Sequence, residues 1–292
     1  MTTTYAAQED AIRDACRTLG LSARGLTPLR RHATSVYLLP QDGIVARVSP
    51  RDQREAVARS VALTRWLAGQ GLAVPETINV PQPIECPPYT ITLWTHYPQP
   101  DGPPPSPEHL GALLRQLHAL PQPPVKLPPY QPLATLQRTV QQSTALSSSD
   151  RSWLQDAVAM ALNAYSHLEF PLGEGLVHGD AYPGNTLWNG TSALLGDWDE
   201  AAFGPREVDL ANTFQGVRFG RTQQELTAFA HAYGYDPAQW SGLSVLTRIR
   251  DLHTLGSFIR RTDKGDGVAV EQLTFRLNTL RSGDHMATWS AH

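Results

Sequence analysis

Apolar residues recur at helical spacing through residues 5–19 (Ile12, Ala15, Cys16, Leu19) and stop at Gly20, which predicts an opening helix. Two short apolar or β-branched runs follow, Ser35–Leu39 and Ile44–Val48, and the turn Pro40-Gln41-Asp42-Gly43 between them predicts a hairpin. Over 52–69, Val57, Val61, Trp66 and Leu67 return near the 3.6-residue period, with Gly69 as the stop, so a helix is expected to dock on the sheet. Past Pro75 the pattern is extended again and ends in Tyr89–Tyr97, where β-formers dominate. The proline-rich run PQPDGPPPSP, residues 98–107, comes next; proline removes backbone donors and stiffens the chain, which suits a connection between domains.

Beyond it the pattern turns helical. Leu110, Leu113, Leu114, Leu117 and Leu120 share one face, a second proline-rich connector runs from Pro121 to Pro132, and helices are predicted at 133–142 and 150–167. One strongly β-like stretch interrupts them, GLVHGDAYPGNTLWNGTSALLGDWDEA, with Asn189-Gly190 as a tight hairpin turn. Helices resume at about 208–217, 222–233, 241–262 and 269–280. The expectation is an α+β fold: an N-terminal β-rich domain over 1–97, a hinge over 98–107 and a larger, mainly helical C-terminal domain over 108–292.

The length of 292 residues agrees with two domains, and 41% hydrophobic with 17% charged residues supports a packed core over disorder. The net charge of −3 and the lack of a Lys/Arg run argue against a nucleic-acid partner. Cys16 and Cys86 lie far apart with no CxxC pattern, which fits a reduced, intracellular protein. No basic head precedes an apolar stretch at the start, and no window nears 18 apolar residues, so a cytoplasmic location without membrane contact is expected.

The chemistry concentrates in the β-like stretch. The strand Leu176-Val177 leads into His178-Gly179-Asp180, four residues intervene, and Asn185 opens the next strand, Thr186-Leu187-Trp188. The Asn189-Gly190 turn folds Ala193–Leu195 back, bringing Asp197 near Asn185, so three oxygen-bearing side chains are expected at one sheet end. Mg²⁺ takes oxygen ligands and commonly combines one or two protein groups with substrate phosphates, which makes Asn185 and Asp197 a metal pair. Asp180 is then free to orient a hydroxyl and take its proton, as a base does in phosphoryl transfer.

HGDAYPGN followed by LLGDWDEAAFGPREVDLA resembles the His-Gly-Asp-x4-Asn and Ile-Asp-Trp/Phe…Asp-Leu-Ala motifs of the aminoglycoside phosphotransferase family, in order and spacing. LGALLRQLHAL (110–120), IVARVS (44–49) and WLAGQGLAVP (66–75) extend the resemblance over both halves. It implies a protein-kinase-like fold and transfer of the γ-phosphoryl of ATP or GTP to a hydroxyl of an antibiotic or small metabolite. By resemblance Asp180 is the catalytic base, Asn185 and Asp197 hold Mg²⁺, His178 and Gly179 shape the loop, and Asp209 braces the larger domain.

The nucleotide side departs from the kinase pattern, which sets a strand lysine against a helix glutamate. Lys126 and Lys264 both lie in the second half, so Arg47, alternating inward on its strand, takes the lysine position; the alternative is an exposed strand arginine. Ser60 stands where the glutamate is usual, and Glu55, five residues earlier, faces elsewhere as a solvated first-turn residue. The loop Arg30–Ser35 has no glycine, leaving backbone donors of Thr34 and Ser35 for phosphate, while the hinge near Thr95 and Tyr97 would take the base.

Residues 1–100 hold 10 basic and 8 acidic side chains, and residues 171–292 hold 10 and 14. That asymmetry suits phosphates on the first part and an amine-bearing acceptor, such as an amino sugar, against Asp199, Glu200, Asp251 or Asp263; solvated surface is the alternative for each acid. Trp188, Trp198, Trp240, Tyr233 and Tyr235 divide between acceptor walls and core packing. The expected activity is thus a small-molecule O-phosphotransferase using Mg²⁺ and ATP or GTP, with antibiotic resistance as one role. Two other classes compete: a nucleotide-binding regulatory module without turnover, and a metal hydrolase using His178 and Asp180.

Overall fold

The computed structural model describes residues 2–31 and 35–290, which form two compact units. The first comprises Met1–Pro105, Ala119–Pro128 and Pro183–Ala201; the second comprises Ser106–His118, Pro129–Tyr182 and Ala202–His292.

In the first unit, α1 (Thr2–Leu19) is followed by β1 (Thr27–Arg31), β2 (Ser35–Leu39), β3 (Ile44–Pro50), α2 (Arg54–Gly69), β4 (Ile84–Cys86) and β5 (Tyr89–Thr95). The strands make an antiparallel sheet in the order β1-β2-β3-β5-β4. Period-2 alternation puts Tyr37 and Leu39 of β2 and Ile44, Ala46 and Val48 of β3 in one buried cluster with Ile12, Ala15 and Cys16 of α1. Arg47 therefore lies on the face opposite that core, with its side chain largely covered. The β2–β3 turn closes at Gly43, whose φ of 62° is the left-handed region that glycine enters without steric cost. Helix α2 runs through Gly69, and the positive φ that ends it belongs to Gly71.

The second unit is mostly helical: α3 (Pro107–His118), α4 (Ala134–Gln142), α5 (Ser148–Ser166), then β6 (Glu174–Val177). The chain returns to the first unit for the hairpin β7 (Thr186–Trp188) and β8 (Ala193–Leu195), and re-enters the second with β9 (Ala202–Pro205), α6 (Glu207–Gln215), α7 (Gln223–Tyr233), α8 (Leu243–Thr262) and α9 (Gly267–Ser282). Leu154, Val158, Ile249, Leu252, Leu255, Ile259, Leu273 and Leu277 centre its core. Helix α3 buries Leu110, Leu113, Leu114 and Leu117 as its spacing predicts, but it stops at His118, so Leu120 lies beyond it. Against α7, a Cβ on Gly111 would sit 2.5 Å from the Phe229 carbonyl oxygen, so only glycine permits that approach. Side-chain caps fix other helix starts: Ser147 on α5, a Thr222–Glu225 capping box on α7 and Asp266 on α9.

The chemically loaded stretch is not one sheet end. β6 pairs with β9 and β7 with β8, giving two separate two-stranded sheets. Asn185 closes a 3₁₀ turn, Pro183–Asn185, and the strand begins one residue later. The β7–β8 connection is the four-residue loop 189–192, in which the Asn189 side chain accepts from the amides of Thr191 and Ser192.

Candidate functional site

In the second unit, β6 delivers His178-Gly179-Asp180, and Asp209 of α6 holds that loop in place. Asp209 is fully buried; its Oδ2 accepts from the His178 amide at 2.7 Å and its Oδ1 from the Gly179 amide at 2.8 Å. His118 Nε2 lies 3.1 Å from Oδ2, and the other ring nitrogen pairs with the Tyr233 hydroxyl at 2.9 Å. Burial pushes this carboxyl up, but His118 and the backbone donor outweigh it and hold Asp209 below the usual carboxylate range. Gly179 has φ 81°, and the wholly buried His178 accepts the Asp180 amide at Nδ1, 3.3 Å. These contacts show the two roles expected of the loop residues and of Asp209: the loop shaped by His178 and Gly179, and the brace supplied by a buried acid.

Asp180 is half-buried, and its Oδ1 accepts from Arg250 Nη2 of α8 at 2.6 Å. No local pattern signals this partner: Arg250 sits inside an amphipathic helix beside Asp251, the acid expected to face an acceptor amine or solvent. Asp251 is in fact buried on Gln215 Nε2 (2.9 Å) and on Arg218. Asp263 likewise accepts from Ser143 Oγ and the amides of Thr144 and Ala145.

In the first unit, Asn185 and Asp197 are brought together by the backbone, because the Gly196 amide donates to the Asn185 carbonyl at 2.8 Å. The Leu195 amide ties the same segment to Ala73 at 2.9 Å, and a Cβ on Gly196 would crowd Pro75 at 3.3 Å. Asp197 adopts φ 62°, uncommon for a residue with a Cβ, ahead of the 3₁₀ turn Trp198–Glu200. Its Oδ1 lies 3.1 Å from Arg47 Nη2, which also meets Asp199 Oδ2 at 2.6 Å. Burial works against the charge on Arg47, but Asp199 and then Asp197 more than offset it, so the guanidinium holds its proton more tightly than usual. The Gly196–Asn185 backbone bond makes residues 185 and 197 near neighbours, and an amide oxygen and a carboxylate are the donor types a hard cation such as Mg²⁺ takes together with phosphate oxygens and water, so the residue types fit Mg²⁺. Among the described residues, no cluster of three or more His, Cys, Asp or Glu side chains could hold a metal, so a hydrolase based on His178 and Asp180 gains no ligand set.

Arg47 thus takes its acids from 197 and 199 and not from α2. Ser60 is buried with an unpartnered hydroxyl, and Glu55 is exposed in the first turn. Thr34 lies outside the described residues. Ser35 sits in the buried row at the start of β2, opposite both Arg31 and Val48. The Thr95 amide donates to Glu76 at 2.9 Å, and the Tyr97 hydroxyl accepts from the Glu76 amide at 3.2 Å. Gln99 donates to the carbonyls of Tyr97 and Trp188 and accepts from the Trp188 amide, which fastens this segment to β7. Asp199 is placed on Arg47, and Glu200 is exposed. Trp198 and Tyr233 are core residues, while the indoles of Trp188 and Trp240 donate to Pro103 and Glu169.

The family model described as the phosphotransferase enzyme family (APH) matches residues 25–243, more than half of the chain. No curated protein sequence matches. Among solved structures, the amicoumacin kinase hAmiN in complex with AMP-PNP, Ca²⁺ and Ami is similar at a TM-score of 0.73 and 13% identity, covering 92% of each chain. Choline kinase LicA from Streptococcus pneumoniae gives 0.68 and 14%, over 94% of this chain and 99% of that one. Spectinomycin phosphotransferase APH(9)-Ia, in complex with ADP and spectinomycin, gives 0.60 and 16%, over 88% of each. Among the described residues, no helix is long and apolar enough to cross a membrane. The chain belongs to the phosphotransferase enzyme family, has its protein-kinase-like fold, and is by class a phosphotransferase.

Proposed function

We propose that the chain transfers the γ-phosphoryl group of ATP or GTP to a hydroxyl of a small molecule, an antibiotic or a metabolite, in the cytoplasm, with Asp180 as the base. The observation that carries this reading is Asp197 on Arg47, with the neighbouring Gly196 amide tied to the Asn185 backbone, which supports two oxygen donor residues near a cation. Bound there, Mg²⁺ would neutralise charge on the phosphate oxygens. Arg47, released from one of its two acids, binds a phosphate oxygen. Asp180, five residues before Asn185 in the chain, accepts a hydrogen bond from the acceptor hydroxyl. As the acceptor oxygen bonds to the γ-phosphorus, the bond to the bridging oxygen breaks, the nucleoside diphosphate leaves, and the hydroxyl proton passes to Asp180.

The test follows label from the γ-position of ATP or GTP into hydroxylated antibiotics and amino sugars with Mg²⁺. Asp180→Asn is expected to lower turnover about 10²- to 10⁴-fold, the usual worth of a general base. Retention of most of the turnover would remove Asp180 from that role.

A nucleotide-binding module without turnover is the second reading, and Ser60 in the glutamate's place favours it. Transfer to any hydroxyl, abolished in Asp197→Ala, eliminates it.

A further inference from the structure

Arg250 is 9% exposed and lies in the middle of α8, where Ile249 and Leu252 are also buried. Among the described residues its hydrogen bonding is the single 2.6 Å contact to Asp180, and its Nε is buried without a partner. A guanidinium offers five donors, and a buried donor left unmet is costly, so this side chain is built to receive a further acceptor group. The neighbourhood says what charge that group carries. His253, one helical turn further along α8, is pushed down to about 4 by burial and by Arg250, with Asp180 opposing and Arg260 adding to the effect, so it is neutral near pH 7. Arg250 and Arg260 both disfavour a charged imidazole at His253 and Asp180 favours it, so the charged groups acting on this position lean positive. The acids of this unit expected to receive an amine are engaged elsewhere, Asp251 on Gln215 and Arg218, Asp263 on residues 143–145.

We infer that the acceptor is a hydroxy acid, whose carboxylate is bound by Arg250 while its hydroxyl faces Asp180. A carboxylate matches the planar fork of Arg250, whose donors beyond the one on Asp180 it would meet. This rests on the phosphotransferase reading of Asp180, and it names the acceptor class that reading leaves open.

The test uses three two-carbon probes that differ only in charge: glycolate, ethylene glycol and ethanolamine. Each is titrated into the full-length, Mg²⁺- and nucleotide-loaded protein while the ring resonances of His253 are followed by NMR, and transfer of γ-label to each is measured in parallel. Glycolate is expected to give a saturable shift at least about tenfold tighter than the other two, and to be the preferred acceptor. Arg250→Gln should weaken glycolate binding in the NMR titration about 10- to 100-fold, and Arg250→Lys should recover part of the loss. Arg250→Lys keeps the buried cation and carries the comparison if Arg250→Gln fails to fold. Equal or tighter binding of ethanolamine or ethylene glycol, or glycolate binding that survives Arg250→Gln, would overturn the inference while leaving the phosphotransferase reading intact. Glycolate bound through Arg250 with no label reaching any probe would count against the phosphotransferase reading itself, and against the acceptor role with it.

Discussion

Asp209→Asn offers a calculable test of how the candidate base is held. The native carboxylate accepts the amides of His178 and Gly179 and faces His118 Nε2, with no solvent contact. Asparagine is nearly isosteric but has one oxygen. The cheapest arrangement keeps that oxygen at the Oδ2 position, where two donors converge, and turns an NH₂ group toward the Gly179 amide. One buried N–H then loses its acceptor, at about 1–3 kcal/mol, and the two surviving bonds fall from charged to neutral, at about 1 kcal/mol each. The sum is about 3–5 kcal/mol, a large share of an ordinary stability of about 5–15 kcal/mol. Urea denaturation near pH 7 measures it directly, and the melting temperature should fall by roughly 10 °C. The acidity of Asp209 adds a second signature. Its folded-state pKa lies below the unfolded value, so the stabilisation is fully present above about pH 4–5 and is lost as pH falls through the folded value. The wild-type advantage should therefore be constant from about pH 5 to 8 and shrink in acid. A variant within about 0.5 kcal/mol of wild type, or a gap that widens in acid, would refute the clamp.

Gly111→Ala should destabilise the second unit by about 2–4 kcal/mol in denaturant melts, because its methyl would sit 2.5 Å from a backbone carbonyl; a neutral result would mean that α3 and α7 separate easily. Arg47→Ala should weaken Mg²⁺–nucleotide binding about tenfold or more in calorimetry, with a small stability change because both partner acids are more than a third exposed. Unchanged nucleotide affinity would make Arg47 merely the counter-ion of Asp197 and Asp199.

Element identity was legible where period and turn chemistry agreed. The opening helix, the β2–β3 hairpin and the helices of the second unit stand within a few residues of their expected spans, since each has an amphipathic face and a turn or cap at its end. Pairing was not legible: the short runs 176–177, 186–188 and 193–195 read as one sheet, yet β6 finds its partner in β9, a stretch whose Ala202–Pro205 carries no strand pattern of its own. The Asn189-Gly190 turn is expected to bring Asp197 near Asn185, and the hydrogen bond from the Gly196 amide to the Asn185 carbonyl draws the two backbone segments together. Partners drawn from distant sequence stayed hidden, because ion pairing leaves no local period. Arg250 on Asp180 spans 70 positions and Arg47 on Asp199 spans 152. Asp199, expected to face an acceptor amine, meets Arg47 because the 3₁₀ turn after Asp197 carries it there.

The most direct measurement of the central claim is the thermal stability of the full-length protein with ATP or GTP, with and without Mg²⁺, in wild type and in Asp197→Ala. A ligand confined to the folded state raises stability by about 2.7 kcal/mol at one hundred times its Kd. The account predicts a rise in melting temperature that requires Mg²⁺ and disappears in Asp197→Ala. A folded wild-type protein whose melting temperature moves with neither nucleotide, or moves equally without Mg²⁺ and in the variant, would contradict it.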